Sequence, residues 1–254
     1  IMMKADELGI KPTDFIDQVK KSHEDSLMRF GINYTNYHST HSEENESLVS
    51  EIYLAAKSAG NIYKTDIEQC FDEEKQMFLA DRYVVGDCPK CGATNQYGDG
   101  CDNCGATYSA TELINPKSAL SGTIPIKKIS EHVFFDLKKE KKDLSNFLKN
   151  SSIQSSVVSK LSEWLNDDLR GWDISRDTPY FGFQIPQEDE KYFYVWVDAP
   201  IGYIASAKQW AERNDVSLAS LWSKNSEYEI HHFIGKDIIY FHGLFWPALL
   251  NHSD

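Results

Sequence analysis

From Lys11 onward, in KPTDFIDQVKKSHEDSLMRFG, apolar residues fall at Phe15, Ile16, Val19, Leu27 and Met28 among charged neighbours, and a glycine closes the run at Gly31. That spacing keeps the apolar side chains on one stripe of a roughly 3.6-residue period, so it predicts an amphipathic helix capped by Thr13 or Asp14. A second helix is predicted over residues 43 to 59, after the polar loop NYTNYHSTHS and up to Gly60, and the opening IMMKADELGI is also helix-like. From residue 61 the texture changes. QMFLADRYVV and ISEHVFFDL are short strand-like pieces, turns sit at the glycines and prolines, and the charged LKKEKKDL reads as the start of a solvated helix.

Past SEWLNDDLRGWDISRD the pattern shifts once more: KYFYVWV and YEIHHFIG are short aromatic and β-branched runs, each followed by a longer helical pattern. Strand, helix, strand, helix predicts a parallel α/β sheet covered on both faces, with residues 61 to 175 as a separate insert. Ligands of such sheets bind beyond the carboxyl ends of the strands, so the residues that follow them are the candidates. The first strand is expected to end at Trp196, with Ala199 and Pro200 opening a helix and Tyr203 one turn on. After the second, Gly235 allows close backbone approach, Asp237 sits near a helix start, and Ile238, His242 and Trp246 share one stripe. Core packing is one account of that stripe. Two strand ends converging favour another, an apolar pocket with few polar fixtures that suits an unbranched, polarizable side chain. Asp237 could take an ammonium or a ribose hydroxyl there, or cap the helix.

Composition narrows the classes. Hydrophobic residues at 41 % and aromatics at 13 % of 254 residues suffice for one large or two moderate packed domains. Thirty-nine acidic against 26 basic residues, a formal charge of -13, argue against a chain whose main business is wrapping nucleic acid by charge. There is no run of about eighteen apolar residues that would cross a membrane, and no signal-like opening, so a reducing cytoplasm is the expected compartment. The chain opens at Ile1 and stops after LLNHSD, which leads us to expect a piece of a longer protein.

Four of the five cysteines lie in CPKCGATNQYGDGCDNCGATYS: Cys88, Cys91, Cys101 and Cys104 form a C-x2-C-x9-C-x2-C array. Two disulfides or four free thiols are the alternatives, but a reducing compartment and paired knuckles favour tetrahedral zinc thiolate. The flanking charge is acidic, with Arg82, Lys90 and Lys117 against Asp81, Asp87, Asp99, Asp102 and Glu112. A phosphate-gripping finger would have the opposite balance. Cys70 lies outside the spacing and reads as a small hydrophobic residue.

YVWVDAPIGY, FIGKDIIYFHGLFWP, WDISRDTPYFGF, NYHSTHS and the knuckle together closely resemble stretches of the bacterial methionyl-tRNA synthetases, a family of class I aminoacyl-tRNA synthetases, over essentially the whole chain. The resemblance implies a Rossmann-like catalytic domain, residues 1 to 60 and 176 to 254, interrupted by a zinc-bearing connective insert over 61 to 175. It implies methionine activation with ATP and Mg2+, transfer to the terminal adenosine of tRNA, and a structural role for zinc. By the same likeness Trp196, Ala199, Pro200, Tyr203, Ile238, His242 and Trp246 would form the methionine side-chain pocket, with Tyr37 and His38 at its border. Gly235 and Asp237 would approach the ATP ribose, and Arg176 would be the catalytic arginine at the phosphate end. From the residues alone, Arg176 has an ion pair with Asp173 or Asp177 as its alternative, and His38 has a second metal pair with His41. HIGH-type and KMSKS-type sequences are absent from these residues, so the chain by itself is expected not to form aminoacyl-adenylate. The competing reading from another class is a non-catalytic zinc-ribbon module that binds RNA or protein on an α/β scaffold.

Overall fold

The computed structural model describes residues 1–106, 108–167, 169–223 and 226–253. Two helices, α1 (Met2–Leu8) and α2 (Pro12–Arg29), turn on each other through Gly9, whose φ of 65° is left-handed. The N-cap of α2 is Lys11, with Pro12 first in the helix, rather than Thr13 or Asp14. Proline's missing N–H falls there among donors that would be unpaired anyway, so the helix starts earlier than the polar caps suggested. Helix α3 (Glu43–Ser58) follows the expected bounds: Ser42 Oγ accepts from the Asn45 amide at 3.3 Å, and Glu43, Glu44 and Glu46 fill the positive first turn. Its buried Val49, Ile52, Tyr53 and Ala56 lie on one face against the core.

The insert leaves on β1 (Ile62–Asp72) and turns back through β2 (Met77–Phe78). Then β3 (Val84–Asp87), β4 (Gln96–Tyr97) and β5 (Ile114–Ser118) make a small sheet in the order β4-β3-β5. The chain returns along β6 (Ile126–Phe135), antiparallel to β1 from Ile62 opposite Phe135 to Phe71 opposite Ile126. Helices α4 (Lys141–Asn150) and α5 (Ser155–Asn166) then lead to β7 (Trp172–Asp173), which joins the edge of β6. A separate hairpin of β8 (Ser175–Asp177) and β9 (Lys191–Phe193) leads into α6 (Val195–Arg213), α7 (Leu218–Trp222) and α8 (Trp246–Leu250).

Two cores result. The large one packs α3 to α6, α8 and the end of β6 around Phe135, Leu161, Ile174, Ile201, Phe245 and Leu249. The small one, Cys70, Leu79, Val84, Ala110 and Leu113, lies under the knuckle.

The class is mixed α/β, but the strands drawn from the sequence need correction. Every strand pairing among the described residues is antiparallel. KYFYVWV yields only Lys191–Phe193, and Trp196 lies in the first turn of α6 rather than at a strand end. Pro200 sits inside that helix, not in its first turn, which leaves the Trp196 carbonyl without its usual helical donor. YEIHHFIG forms no ladder, because no described strand lies beside it and an isolated strand cannot pair its backbone groups. The stripe of Ile238, His242 and Trp246 is also broken up. A single 3-10 turn covers Lys236–Ile238, a π turn covers Phe241–Phe245, and α8 begins at Trp246.

Candidate functional site

Helix α6 and the π turn bring four of the expected residues together. The Trp196 and Phe241 rings stack at 4.2 Å, and Trp196 meets His242 edge-on at 6.4 Å. Tyr203 lies against His242 and Trp246 with ring centres 5.7 and 5.6 Å away. One polar contact organises these rings: Tyr203 Oη is 3.0 Å from His242 Nε2, while His242 Nδ1 is 2.9 Å from the Ile238 carbonyl. A carbonyl can only accept, so His242 Nδ1 donates to it, and Nε2 shares its hydrogen bond with the tyrosine hydroxyl. Burial raises the Tyr203 hydroxyl above its ordinary value, so it stays a donor at neutral pH. Trp246 is 5 % exposed, and its indole N–H has no hydrogen-bond partner. The result is an aromatic wall with one ordered hydroxyl.

Three members were not foreseen, Phe241 against Trp196 being the first. His232 sits 5.1 Å from Tyr203 and 5.2 Å from Trp246, and burial together with His242 lowers its basicity. Trp222 meets Trp246 edge-on at 5.9 Å. His232 was hidden inside a segment taken for a strand, and Trp222 in a stretch without any periodic signal. Ala199 and Pro200 ride on α6 beside this wall.

The loop bearing Tyr37 and His38 is tied to α6. Asn36 Nδ2 donates to the Ser206 carbonyl at 2.8 Å, and an added Cβ at Gly202 would come within 2.8 Å of Thr40. Glycine is therefore what lets the loop approach the helix. Tyr37 meets Tyr34 at 5.2 Å, and His38 Nε2 lies 3.4 Å from Glu44 Oε2; neither makes a described ring contact with the aromatic wall. His41 is held between Phe181 at 4.8 Å and Phe183 at 5.2 Å. No group of three metal ligands forms around His38 and His41 among the described residues. Gly235 has ordinary backbone angles and open space where a side chain would be, and Asp237 is exposed inside the 3-10 turn.

Arg176, on β8, forms the ion pair that was its alternative reading. Its Nη1 lies 3.3 Å from Asp173 Oδ2 and donates to the Ser175 carbonyl at 2.6 Å, and the guanidinium stands 4.1 Å from the Tyr194 ring centre. It lines a cavity of about 130 Å3 between the insert and the β8 hairpin, together with Asp81, Tyr180 and His132. Burial pushes the Asp81 carboxyl up, against the pull of Arg176.

The four cysteine sulfurs all lie within 4.8 Å of one another, with Cys88 and Cys104 at 3.9 Å and Cys91 and Cys101 at 3.6 Å. Tetrahedral Zn–S bonds of about 2.3 Å require edges of about 3.8 Å, so the donors fit zinc. Each knuckle is the same fold: Cys88 N donates to Ala93 O at 2.8 Å, and Cys101 N to Ala106 O at 2.9 Å. Gly92 at φ 73° and Gly105 at φ 70° take the left-handed turns this requires. Amides point at the sulfurs, Lys90 N to Cys88 Sγ at 3.4 Å and Cys104 N to Cys101 Sγ at 3.4 Å, and these donors favour the thiolates that bind metal.

A family model described as class I tRNA synthetases (M) matches residues 1–254, the full chain. The chain belongs to that family. This synthetase chain is also similar to solved structures of Mycobacterium tuberculosis methionyl-tRNA synthetase. One of them, in complex with methionyl-adenylate, aligns with 99 % of the chain at 19 % identity and a TM-score of 0.68. A second, bound by methionyl-adenylate, aligns with 98 % at 0.66 and 19 % identity, and the apo form aligns with 95 % at 0.61 and 19 %. At that identity the likeness carries the fold, which is the Rossmann-type α/β class expected from the sequence. The chain covers 44 % of the two adenylate-bound structures and 43 % of the apo form, less than half of each. Within the synthetase fold His132 is a further residue that sequence reading missed, since one polar position in ISEHVFFDL carries no signal of its burial. No helix among the described residues is long and apolar enough to cross a membrane.

Proposed function

We propose that this chain is the central part of a cytoplasmic methionine–tRNA ligase, in which residues 61 to 175 form a zinc-bearing insert between two parts of the catalytic domain. The observation that carries the reading is the aromatic wall of Trp196, Tyr203, His242 and Trp246, with its single hydroxyl ordered by His242. An unbranched thioether fills such a slot, and sulfur gains from aromatic edges. Ile238, Ala199 and Pro200 would complete the slot, and Tyr37 and His38 would border it from the loop.

In the reaction the methionine carboxylate attacks the α-phosphorus of ATP in line. A bond from the carboxylate oxygen to phosphorus forms as the bond to pyrophosphate breaks; the terminal ribose hydroxyl of tRNA then attacks the acyl carbon of the mixed anhydride, forming the ester as the acyl–O bond breaks and AMP and a proton leave. No covalent bond to the protein is needed, so this chain's part is positioning and charge. Gly235 leaves room for the ribose to approach the backbone, Asp237 accepts from its hydroxyls, and Arg176 meets the phosphate charge. Mg2+ accompanies ATP as part of the substrate. The cysteines hold zinc as a structural cross-link within the insert, remote from the reacting carbonyl. The residues lack HIGH-type and KMSKS-type sequences, and alone they do not form the adenylate.

The test is charging of tRNA by the full-length gene product with labelled methionine, leucine and isoleucine. Methionyl-tRNA alone supports the proposal. Absence of any charged tRNA from folded, zinc-loaded protein sinks it.

A further inference from the structure

One buried ion cluster outside the aromatic wall bears on Arg176. His132 stands on β6 at 1 % exposure, and both its ring nitrogens face carboxylates: Nδ1 is 2.8 Å from Asp173 Oδ2, and Nε2 is 2.9 Å from Asp177 Oδ2. Each ring nitrogen has a carboxylate acceptor, and the Gln69 side-chain amide also lies against Nε2. The two carboxylates flank Arg176 in the chain, and the Asp173 oxygen that His132 holds is the one that accepts from Arg176 Nη1. Ser130, Lys191 and Gln69 also contact Asp177.

Strand β8 is three residues long and, among the described strands, forms its ladder with β9, while Val133 of β6 donates to Ser175 Oγ at 2.9 Å. Asp173, the Ser175 carbonyl and the Tyr194 ring hold the guanidinium, and Asp173 is held in turn by a side chain from a different strand. Only Nη1 of Arg176 is engaged by protein acceptors among the described residues, which leaves Nε and Nη2 for an anion at the edge of the cavity. We propose that His132 is a positioning residue for Arg176, holding the guanidinium toward phosphate by bridging Asp173 and Asp177. This rests on Arg176 being the phosphate-binding arginine of the proposed function.

The test uses the full-length gene product with His132→Gln, and Asp173→Asn as the second variant if the first does not fold. Nitrogen NMR of arginine-labelled protein is expected to show separate Nη signals for Arg176 in the wild type that merge through free rotation in either variant. In methionine-dependent exchange, the KM for ATP is expected to rise about 10- to 100-fold, with methionine affinity from tryptophan fluorescence changed less than about 2-fold. On an Arg176→Gln background, His132→Gln should add no further loss. An unchanged Arg176 signal in a folded variant, or fully additive losses, would overturn the inference. A wild type without exchange would defeat the functional reading separately, while the guanidinium signal would still decide the positioning.

Discussion

Tyr203→Phe keeps the ring and removes the one hydroxyl that lies 3.0 Å from His242 Nε2. His242 then loses the partner that orders its ring, and methionine affinity in a fluorescence titration is expected to weaken about 5- to 10-fold, ~1 kcal/mol. An unchanged affinity would remove the hydroxyl from the account. His132 and Asp177 give a pH signature at the same scale. Burial draws His132 down, but hydrogen bonds to Asp173 and Asp177 outweigh it and hold the ring above its ordinary 6.5. Burial pushes Asp177 up, but His132 and Lys191 hold it below its ordinary 3.8. A raised histidine contributes stability below 6.5 that is lost as pH climbs through its folded value, and a lowered aspartate contributes above 3.8 what is lost on acidification. Both are present between about pH 4 and 6.5, with Lys191, Arg176 and Asp173 in the same cluster. The urea stability difference between wild type and His132→Gln is therefore expected to peak near pH 5 to 6 and to shrink toward about pH 9. Equal differences across that range would contradict the brace.

Among elements, the π turn is the one whose geometry the pocket depends on. An added Cβ at Gly243 would fall 2.4 Å from Leu161 Cδ1, and the turn places His242 immediately beside it. Gly243→Ala is expected to destabilise the fold by ~1–3 kcal/mol through overpacking in urea unfolding, and to weaken methionine binding along with it. Loss of stability with intact binding would mean that the turn does not aim His242. Elements were legible in proportion to how locally they are determined. Helices α2 and α3 could be read because their stripes and glycine stops lie within the segment. KYFYVWV and YEIHHFIG were misread because aromatic and β-branched residues mark half-buried surface, while a strand exists only if a neighbour pairs with it. The π turn could not be read, since an extra residue per turn leaves no compositional trace.

For the whole molecule, two separate cores predict separable stability. Cys88→Ser is expected to abolish bound metal and the hydrogen-exchange protection of residues 84 to 118, with protection around Ile201 and Phe245 kept. Uniform loss of protection would show that zinc supports the whole domain. At this scale the sequence spoke through spacing and long strings: the knuckle's four cysteines converge as their spacing required, and Trp196, Tyr203, His242 and Trp246 meet although the elements carrying them differ from expectation. What it could not show was which elements cross, and so His132 reaching Asp173 and Asp177 from another strand stayed invisible. The most direct test of the central claim is amino-acid-dependent ATP–pyrophosphate exchange by the full-length gene product, with methionine beside leucine, isoleucine and valine. Exchange with methionine alone is the predicted result, and exchange with none of the four, or equally with all, would contradict it.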